Sequence, residues 1–155
     1  MALEFKGVIP HLQFENGAAR AIEFYKAAFG AVEEMRMPFG DDGRLLHASL
    51  KIGDQPLFLA DEFPEFCGGA AVLPRGRSVV TLHLCVPDAD AQIARAVEAG
   101  AKVEMPAMDA FWGDRYGKVT DPFGHEWSFS TPLSAERHAA AQKEWEQWQS
   151  QQKAA

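Results

Sequence analysis

Three histidines and one carboxylate are the residues of this sequence best equipped for chemistry. His11, His47 and His83 each stand in an apolar, strand-like run, and Glu126 stands in another. Imidazole titrates near neutrality, so it can take or give a proton, or ligate a divalent ion once deprotonated. Side chains alternate across a strand, so the apolar residues decide which face the polar ones take. In the first run Leu12 and Phe14 call for cover, which leaves His11 and Gln13 opposite. In the next, Leu46, Ala48 and Leu50 leave His47 and Ser49. Later, Leu82, Leu84 and Val86 leave Thr81, His83 and Cys85, and Trp127 with Phe129 leaves Glu126, Ser128 and Ser130. The pattern predicts one cavity with His11, His47, His83 and Glu126 as candidate catalytic groups. Gln13, Ser49, Thr81 and Ser128 are its candidate ligand contacts. Trp112 and Arg115 sit in an intervening loop. An aromatic wall and a guanidinium would suit an anionic or oxygen-rich ligand. The plainer alternative is that the histidines bond polar neighbours, Trp112 packs and Arg115 is solvated. Asp61 ends a short strand and reads as structural, bonding His47 or capping a loop. Met35 and Met37 alternate along a strand and could line the cavity, with ordinary core the preferred reading, and Glu33 and Glu34 read as solvated.

An internal repeat positions these residues. Residues 8–16 form an apolar run ending in a turn. Ala21, Ile22, Tyr25, Ala28 and Phe29 then follow at helical spacing, and Gly30 stops the helix. In the second half, 79–86 is again an apolar run. Asp88 offers an N-cap, Ile93 and Val97 mark a buried helical face, and Gly100 ends the helix. Laid on each other, the halves put His11 on His83. Each half continues as strands at 31–37, 45–52 and 56–60, and at 101–104, 116–120 and 126–130. The turn Gly53-Asp54 and the turn Asp121-Pro122-Phe123-Gly124 separate the last two strands of each half. The fold class is therefore α+β: two tandem βαβββ modules, forming a curved mixed sheet or cup, plus a C-terminal helix. Residues 1–133 are expected as one domain, with modules at about 7–61 and 78–132 and a Gly- and Pro-bearing linker at 62–77. Residues 134–155 form a helical tail. Ser134 can cap it, and His138, Ala141, Trp145 and Trp148 make one stripe that should pack on the body or on a partner.

Composition narrows the partners. The 155 residues carry a net charge of −7, which disfavours nucleic acid and an anionic membrane surface. No apolar run approaches the roughly 20 residues of a membrane helix, and the first residues lack the order of a secretion signal. Cys67 and Cys85 show no metal-type spacing and read as free thiols of a cytoplasmic protein. Neither a Ser/His/Asp nucleophile arrangement nor a Gly-rich phosphate loop is legible.

Certain longer stretches resemble the vicinal oxygen chelate superfamily, the glyoxalase/bleomycin resistance/dioxygenase proteins. They are Ile22-Glu23-Phe24-Tyr25-Lys26-Ala27-Ala28-Phe29-Gly30 and Thr120-Asp121-Pro122-Phe123-Gly124-His125-Glu126-Trp127. Trp112-Gly113-Asp114-Arg115-Tyr116-Gly117 is similar to the PhnB-like branch. The resemblance covers about 7–132 and leaves the tail outside. It implies paired modules around a small-molecule cavity, usually in a homodimer, and either metal-dependent catalysis or metal-free binding of antibiotics. It places the usual metal ligands at Ile9, Phe58, Thr81 and Ser128, none of them a strong donor. A divalent metal cofactor, if there is one, is therefore expected nearer His11, His47 and His83. The expected function is binding of a small polar metabolite or antibiotic. A metal-dependent lyase, isomerase or dioxygenase with a displaced histidine site is the first alternative, and a non-catalytic interaction protein the second. Whether the chain is an enzyme stays open.

Overall fold

A computed structural model describes residues 7–66 and 78–154 of the chain. Cys67 and most of the expected linker lie outside the described residues. The elements run β1 (His11–Phe14), α1 (Ala18–Phe29), β2 (Val32–Pro38), β3 (Leu45–Ile52) and β4 (Gln55–Asp61). After these come β5 (Thr81–Cys85), α2 (Ala89–Glu98), β6 (Lys102–Asp109), β7 (Asp114–Thr120), β8 (Glu126–Pro132) and α3 (Ala135–Ala154). This is βαβββ twice, then a helix. The chain divides into two compact units, one on each side of residues 75 and 76.

Each unit has one four-stranded mixed sheet, in order β1-β4-β3-β2 and β5-β8-β7-β6. In the first, β1 pairs parallel with β4, setting His11 opposite Phe58; the other pairings are antiparallel. In the second, β5 pairs parallel with β8 and sets His83 opposite Ser128. The two ladders share a register, so His11 and His83 are equivalent positions, as are Phe58 and Ser128. The internal repeat read from the sequence is a repeat in sheet topology.

One face of each sheet is covered by its helix. In the first unit Ala18, Ala21, Ile22, Tyr25 and Ala28 are fully buried on α1, together with Ala48, Leu50 and Leu59 on the sheet. The alanines let the helix approach closely, while burying Ile22 and Tyr25 contributes about 1.5–3 kcal/mol each. Gly30 ends α1 at φ 67, a left-handed cap in which its N–H and that of Ala31 close onto Lys26 and Tyr25 carbonyls.

In the second unit Asp88 caps α2, its carboxylate accepting the Ala91 N–H at 3.0 Å. Ala89, Ile93 and Ala96 are the buried positions, whereas Val97 is 43% exposed. The expected Ile93–Val97 stripe is corrected to Ala89, Ile93 and Ala96, at steps of four and three, with Val97 turned off that line.

Gly117 on β7 is where α2 comes down on the sheet. A Cβ there would lie 2.5 Å from Ile93 Cδ1 and 3.0 Å from the Met105 carbonyl oxygen. Ile93 can swing away, but the neighbouring strand cannot. Gly117→Ala is expected to lower stability by about 1–3 kcal/mol through overpacking. Adding Ile93→Val should recover part of that loss, as read from denaturation midpoints of the single and double variants.

Among the described residues no helix is long and apolar enough to cross a membrane. The tail helix α3 starts at Ser134, whose hydroxyl accepts the Arg137 N–H at 3.3 Å. Its first half contacts the β6–β7 loop of its own unit, and Ala141 is buried.

Candidate functional site

The face of each sheet away from its helix carries the polar residues. In the first unit Leu12 and Phe14 turn toward α1, leaving His11 and Gln13 on the other side, in line with Phe58 and Ala60 of β4. Ser49 and His47 of β3 continue these rows, followed by Met35 and Met37 of β2. The two imidazoles meet edge to face with centroids 5.5 Å apart, and Phe58 packs against both, 4.8 Å from His47 and 6.0 Å from His11. Ser49 donates to Glu34 at 3.2 Å, and Glu34 also pairs with Lys51. Met35 and Met37 are exposed on this face rather than part of the core. That corrects the expectation for them: β2 is an edge strand, and α1 does not reach over the far side.

Burial, and then the nearby His47, lowers the His11 pKa below its ordinary 6.5. The unfolded chain therefore takes up a proton at higher pH than the native one. Stability should fall as the pH drops from about 6.5 toward the lowered native value, and be unaffected by His11 above it. In thermal melts across that window, His11→Gln is expected to flatten the slope. An unchanged slope would mean that His11 does not contribute to it.

In the second unit the corresponding face is more polar. His83 is held at both ring nitrogens, Nδ1 with Ser128 Oγ at 2.8 Å and Nε2 with Ser130 Oγ at 3.0 Å. Both serines are buried, while His83 is exposed. A hydroxyl can donate or accept, so the pair supports either imidazole tautomer in a single ring orientation. The Tyr116 ring stacks at 6.0 Å from His83, and Trp112 meets Tyr116 edge on at 5.3 Å. Thr81 lies opposite Glu126 at the end of the same face. Glu126 is buried and pairs with Lys118 Nζ at 3.1 Å. Cys85 is exposed beside Ser130, whose hydroxyl lies 3.8 Å from its sulfur.

The structure thus joins His11 with His47 in one unit, and His83 with Ser128 in the other, with Trp112 alongside. Arg115 goes elsewhere. β7 already begins at Asp114, so Arg115 is a strand residue of parity opposite to Tyr116. Its guanidinium grips Asp90 of α2 at 2.8 and 2.9 Å and reaches Asp109 at 3.1 Å. Asp90 is held below the usual carboxylate range chiefly by Arg115, and Asp109 chiefly by Arg137. The ligand-binding expectation for Arg115 is corrected to a tie between sheet edge and helix. Tyr116, Lys118 and Ser130 belong to the polar face and were not among the candidates. Alternation from the buried Gly117 and Val119 is the signal that would have found Tyr116 and Lys118.

Asp61 is buried at the end of β4. It accepts the N–H groups of Gly17 and Ala18 at 2.7 and 3.0 Å and that of Leu45 at 2.8 Å. Its role is structural, at the start of α1. Asp121 does the matching work in the second unit. It accepts the N–H groups of Phe123 and His125 at 2.9 and 3.0 Å and the Trp127 indole N–H at 3.0 Å.

Residues 8–129 match the Glyoxalase/Bleomycin resistance protein/Dioxygenase superfamily. The chain belongs to that superfamily. It is 49% identical over 126 residues to a Mycobacterium tuberculosis protein described as uncharacterized, covering 80% of this chain and 73% of that one. The X-ray structure of an Arabidopsis thaliana gene product is similar at a TM-score of 0.65 and 31% identity, over 82% of this chain and 99% of that one. A Bacillus cereus PhnB protein shares the fold at a TM-score of 0.65 and 16% identity, over 81% of this chain and 99% of that one.

The positions that the resemblance assigns to metal ligands are poor ones in each unit taken by itself. Ile9 and Phe58 offer no donor atom. The Ser128 hydroxyl is engaged by His83, and the neighbouring carboxylate, Glu126, is paired with a lysine. Hydroxyls and an ammonium make a poor cage for a divalent cation. Within each unit, among the described residues, no three His, Cys, Asp or Glu side chains converge on one point.

Proposed function

We propose that this superfamily member binds a small polar metabolite or antibiotic on the polar faces of its two sheets. The reading takes residues 1–133 as one cytoplasmic ligand-binding domain of the PhnB-like branch, working as a homodimer. The observation that carries it is His83, an exposed imidazole oriented by two buried serines beside Tyr116 and Trp112. Binding sites need a few fixed polar groups against an aromatic or apolar wall, and this arrangement supplies both. In the first unit His11, Gln13, His47 and Ser49 are the proposed contacts of its own polar face, while Thr81, Glu126 and Lys118 border His83 in the second. The net charge of −7 favours a small molecule over nucleic acid.

The test is a thermal-shift screen of polar metabolites and antibiotics, followed by calorimetric titration of the compounds that stabilise. His83→Ala is expected to weaken binding of such a compound by about 10- to 100-fold, the loss of one or two oriented hydrogen bonds from a desolvated site. Compounds that bind the variant as tightly as the parent chain would overturn the reading. Light scattering should give twice the 17.1 kDa chain mass.

A second reading, a metal-dependent lyase, isomerase or dioxygenase, is favoured by the approach of His11 to His47 at 5.5 Å. Two imidazoles can begin a divalent-ion site that open positions complete. Zinc titration with and without His47→Ala distinguishes it: the reading requires stoichiometric zinc that the variant loses.

A further inference from the structure

The tail helix α3 lies outside the superfamily-matched residues 8–129, and among the described residues it meets the end of β6 and the loop that follows. That loop, residues 110–113, joins β6 to β7 and carries Phe111 and Trp112. It closes on itself through Gly113 N–H to Ala110 O at 3.0 Å and Ala110 N–H to Asp114 O at 2.8 Å. Neither bond holds the Phe111 or Trp112 side chain. The tail does so for Phe111. Leu133, just before the tail, donates its N–H to Gly113 O at 2.8 Å, and from the tail His138 Nε2–H donates to the Phe111 carbonyl at 2.9 Å. Arg137 pairs with Asp109 at 2.8 Å, just before the loop. The Trp145 ring lies flat on Phe111 with centroids 4.4 Å apart, and Trp148 stacks on Trp145 at 4.9 Å. Glycine at 113 suits both the backbone and the close approach of the tail. Its φ is +108, and a Cβ would stand 3.3 Å from the His138 ring.

The ring contacts continue inward. Phe111 meets Trp112 edge on at 5.2 Å, Trp112 meets Tyr116 at 5.3 Å, and Tyr116 stacks on His83 at 6.0 Å. A chain of aromatic contacts thus joins Trp145 on the tail to the His83 imidazole on the polar face. Trp112 itself is 50% exposed. A half-exposed indole on a four-residue loop has no single orientation of its own, and ordering it at the moment of binding would cost free energy.

We infer that α3 is a positioning element of the ligand site: by clamping Phe111 and the backbone of residues 110–113, it sets Trp112 in place as the wall beside Tyr116 and His83. The inference rests on the proposed ligand-binding reading for its functional consequence, but not for its structural content. Trp145 and His138 do not themselves touch the polar face; they act through Phe111 and Trp112. The device fits a helix whose side chains are mostly solvated, because it adds little core yet fixes one loop.

The experiment uses the full chain labelled with 5-fluorotryptophan. The fluorine resonances are assigned from the Trp112→Phe, Trp127→Phe, Trp145→Phe and Trp148→Phe variants. The fluorescent anion 8-anilinonaphthalene-1-sulfonate serves as the binding probe. In Trp145→Ala the Trp112 resonance is expected to move toward that of the free amino acid, while the resonance of buried Trp127 stays put. Probe affinity should fall about 2- to 10-fold, the range for one side chain that must be ordered on binding. Trp145→Phe, which keeps a ring on Phe111, should restore both. Arg137→Gln gives the same test with all four indoles present. An unmoved Trp112 resonance in both variants overturns the inference. So does a Trp127 resonance that collapses with it, since the tail would then be a general stabiliser. Probe affinity that survives His83→Ala counts against the ligand-binding reading alone, and the Trp112 resonance still decides the role of the tail.

Discussion

Asp61→Ala is expected to destabilise the first unit by about 3–5 kcal/mol, the largest effect of any single substitution considered for this chain. The carboxylate is buried and accepts three main-chain N–H groups, from Gly17, Ala18 and Leu45. Gly17 has no side chain to cap α1, so Asp61 supplies the cap from 43 residues away in sequence. Alanine leaves buried donors unpaired at a helix start, and each such donor costs about 1–3 kcal/mol where water cannot reach it. It also removes a negative charge from the positive end of the helix dipole. Total stabilities run to about 5–15 kcal/mol, so the melting temperature should drop by roughly 10 °C or more. Asp61→Asn should cost less. One amide oxygen can still take the Gly17 and Ala18 donors, but the NH2 group then faces the Leu45 N–H. Chemical denaturation of both variants checks the order; equal losses would show that the Gly17 and Ala18 bonds add nothing to the Leu45 bond.

Asp121→Ala should follow, at about 2–4 kcal/mol. Here the carboxylate closes the turn between β7 and β8 through the Phe123 and His125 N–H groups, and its second oxygen takes the indole N–H of Trp127. Trp127 is buried beneath α2, so losing the indole partner strands a donor in the core of the second unit. The turn also sets the register of β8, and with it the placement of Ser128 and Ser130 against His83. The expected result is therefore twofold: a lower denaturation midpoint, and weaker binding of any ligand whose affinity depends on His83. Trp127→Phe separates the two contributions, since it keeps the turn while removing the indole bond and some ring volume from the core. It should lower stability by about 1–2 kcal/mol and leave binding nearly unchanged. A Trp127→Phe variant as impaired in binding as Asp121→Ala would rule out the register argument.

Alternation and helical spacing carried much of the architecture into view. The equivalence of His11 and His83 follows from where each stands before its helix, and the shared ladder register bears it out. The caps at Asp88 and Ser134 are local, made within three residues, and so is the left-handed stop at Gly30. The helix-side faces of β1, β5 and β8 follow from Leu12 and Phe14, from Leu82 and Leu84, and from Trp127 and Phe129. These features depend only on the period of the backbone and the wish of apolar groups for cover.

Other features needed the third dimension. Trp112 and Arg115 read from the sequence as residues of one loop, yet β7 begins a residue before Arg115, and that single boundary decides which face the guanidinium takes. Met35 and Met37 alternate as a buried strand would, but sheet order puts β2 at an edge. Asp61 showed its structural character early, but its partners lie 16 to 44 residues away and could not be named. The pairing of His83 with both serines rests on β5 lying parallel beside β8 in one particular register, a contact across 45 and 47 residues. By itself the sequence determined the repeat, the parity of most strands and the local caps, because those depend on neighbours along the chain. Only the tertiary structure decided which donor meets which acceptor, because sheet order and register bring together groups whose spacing in sequence holds no trace of their contact.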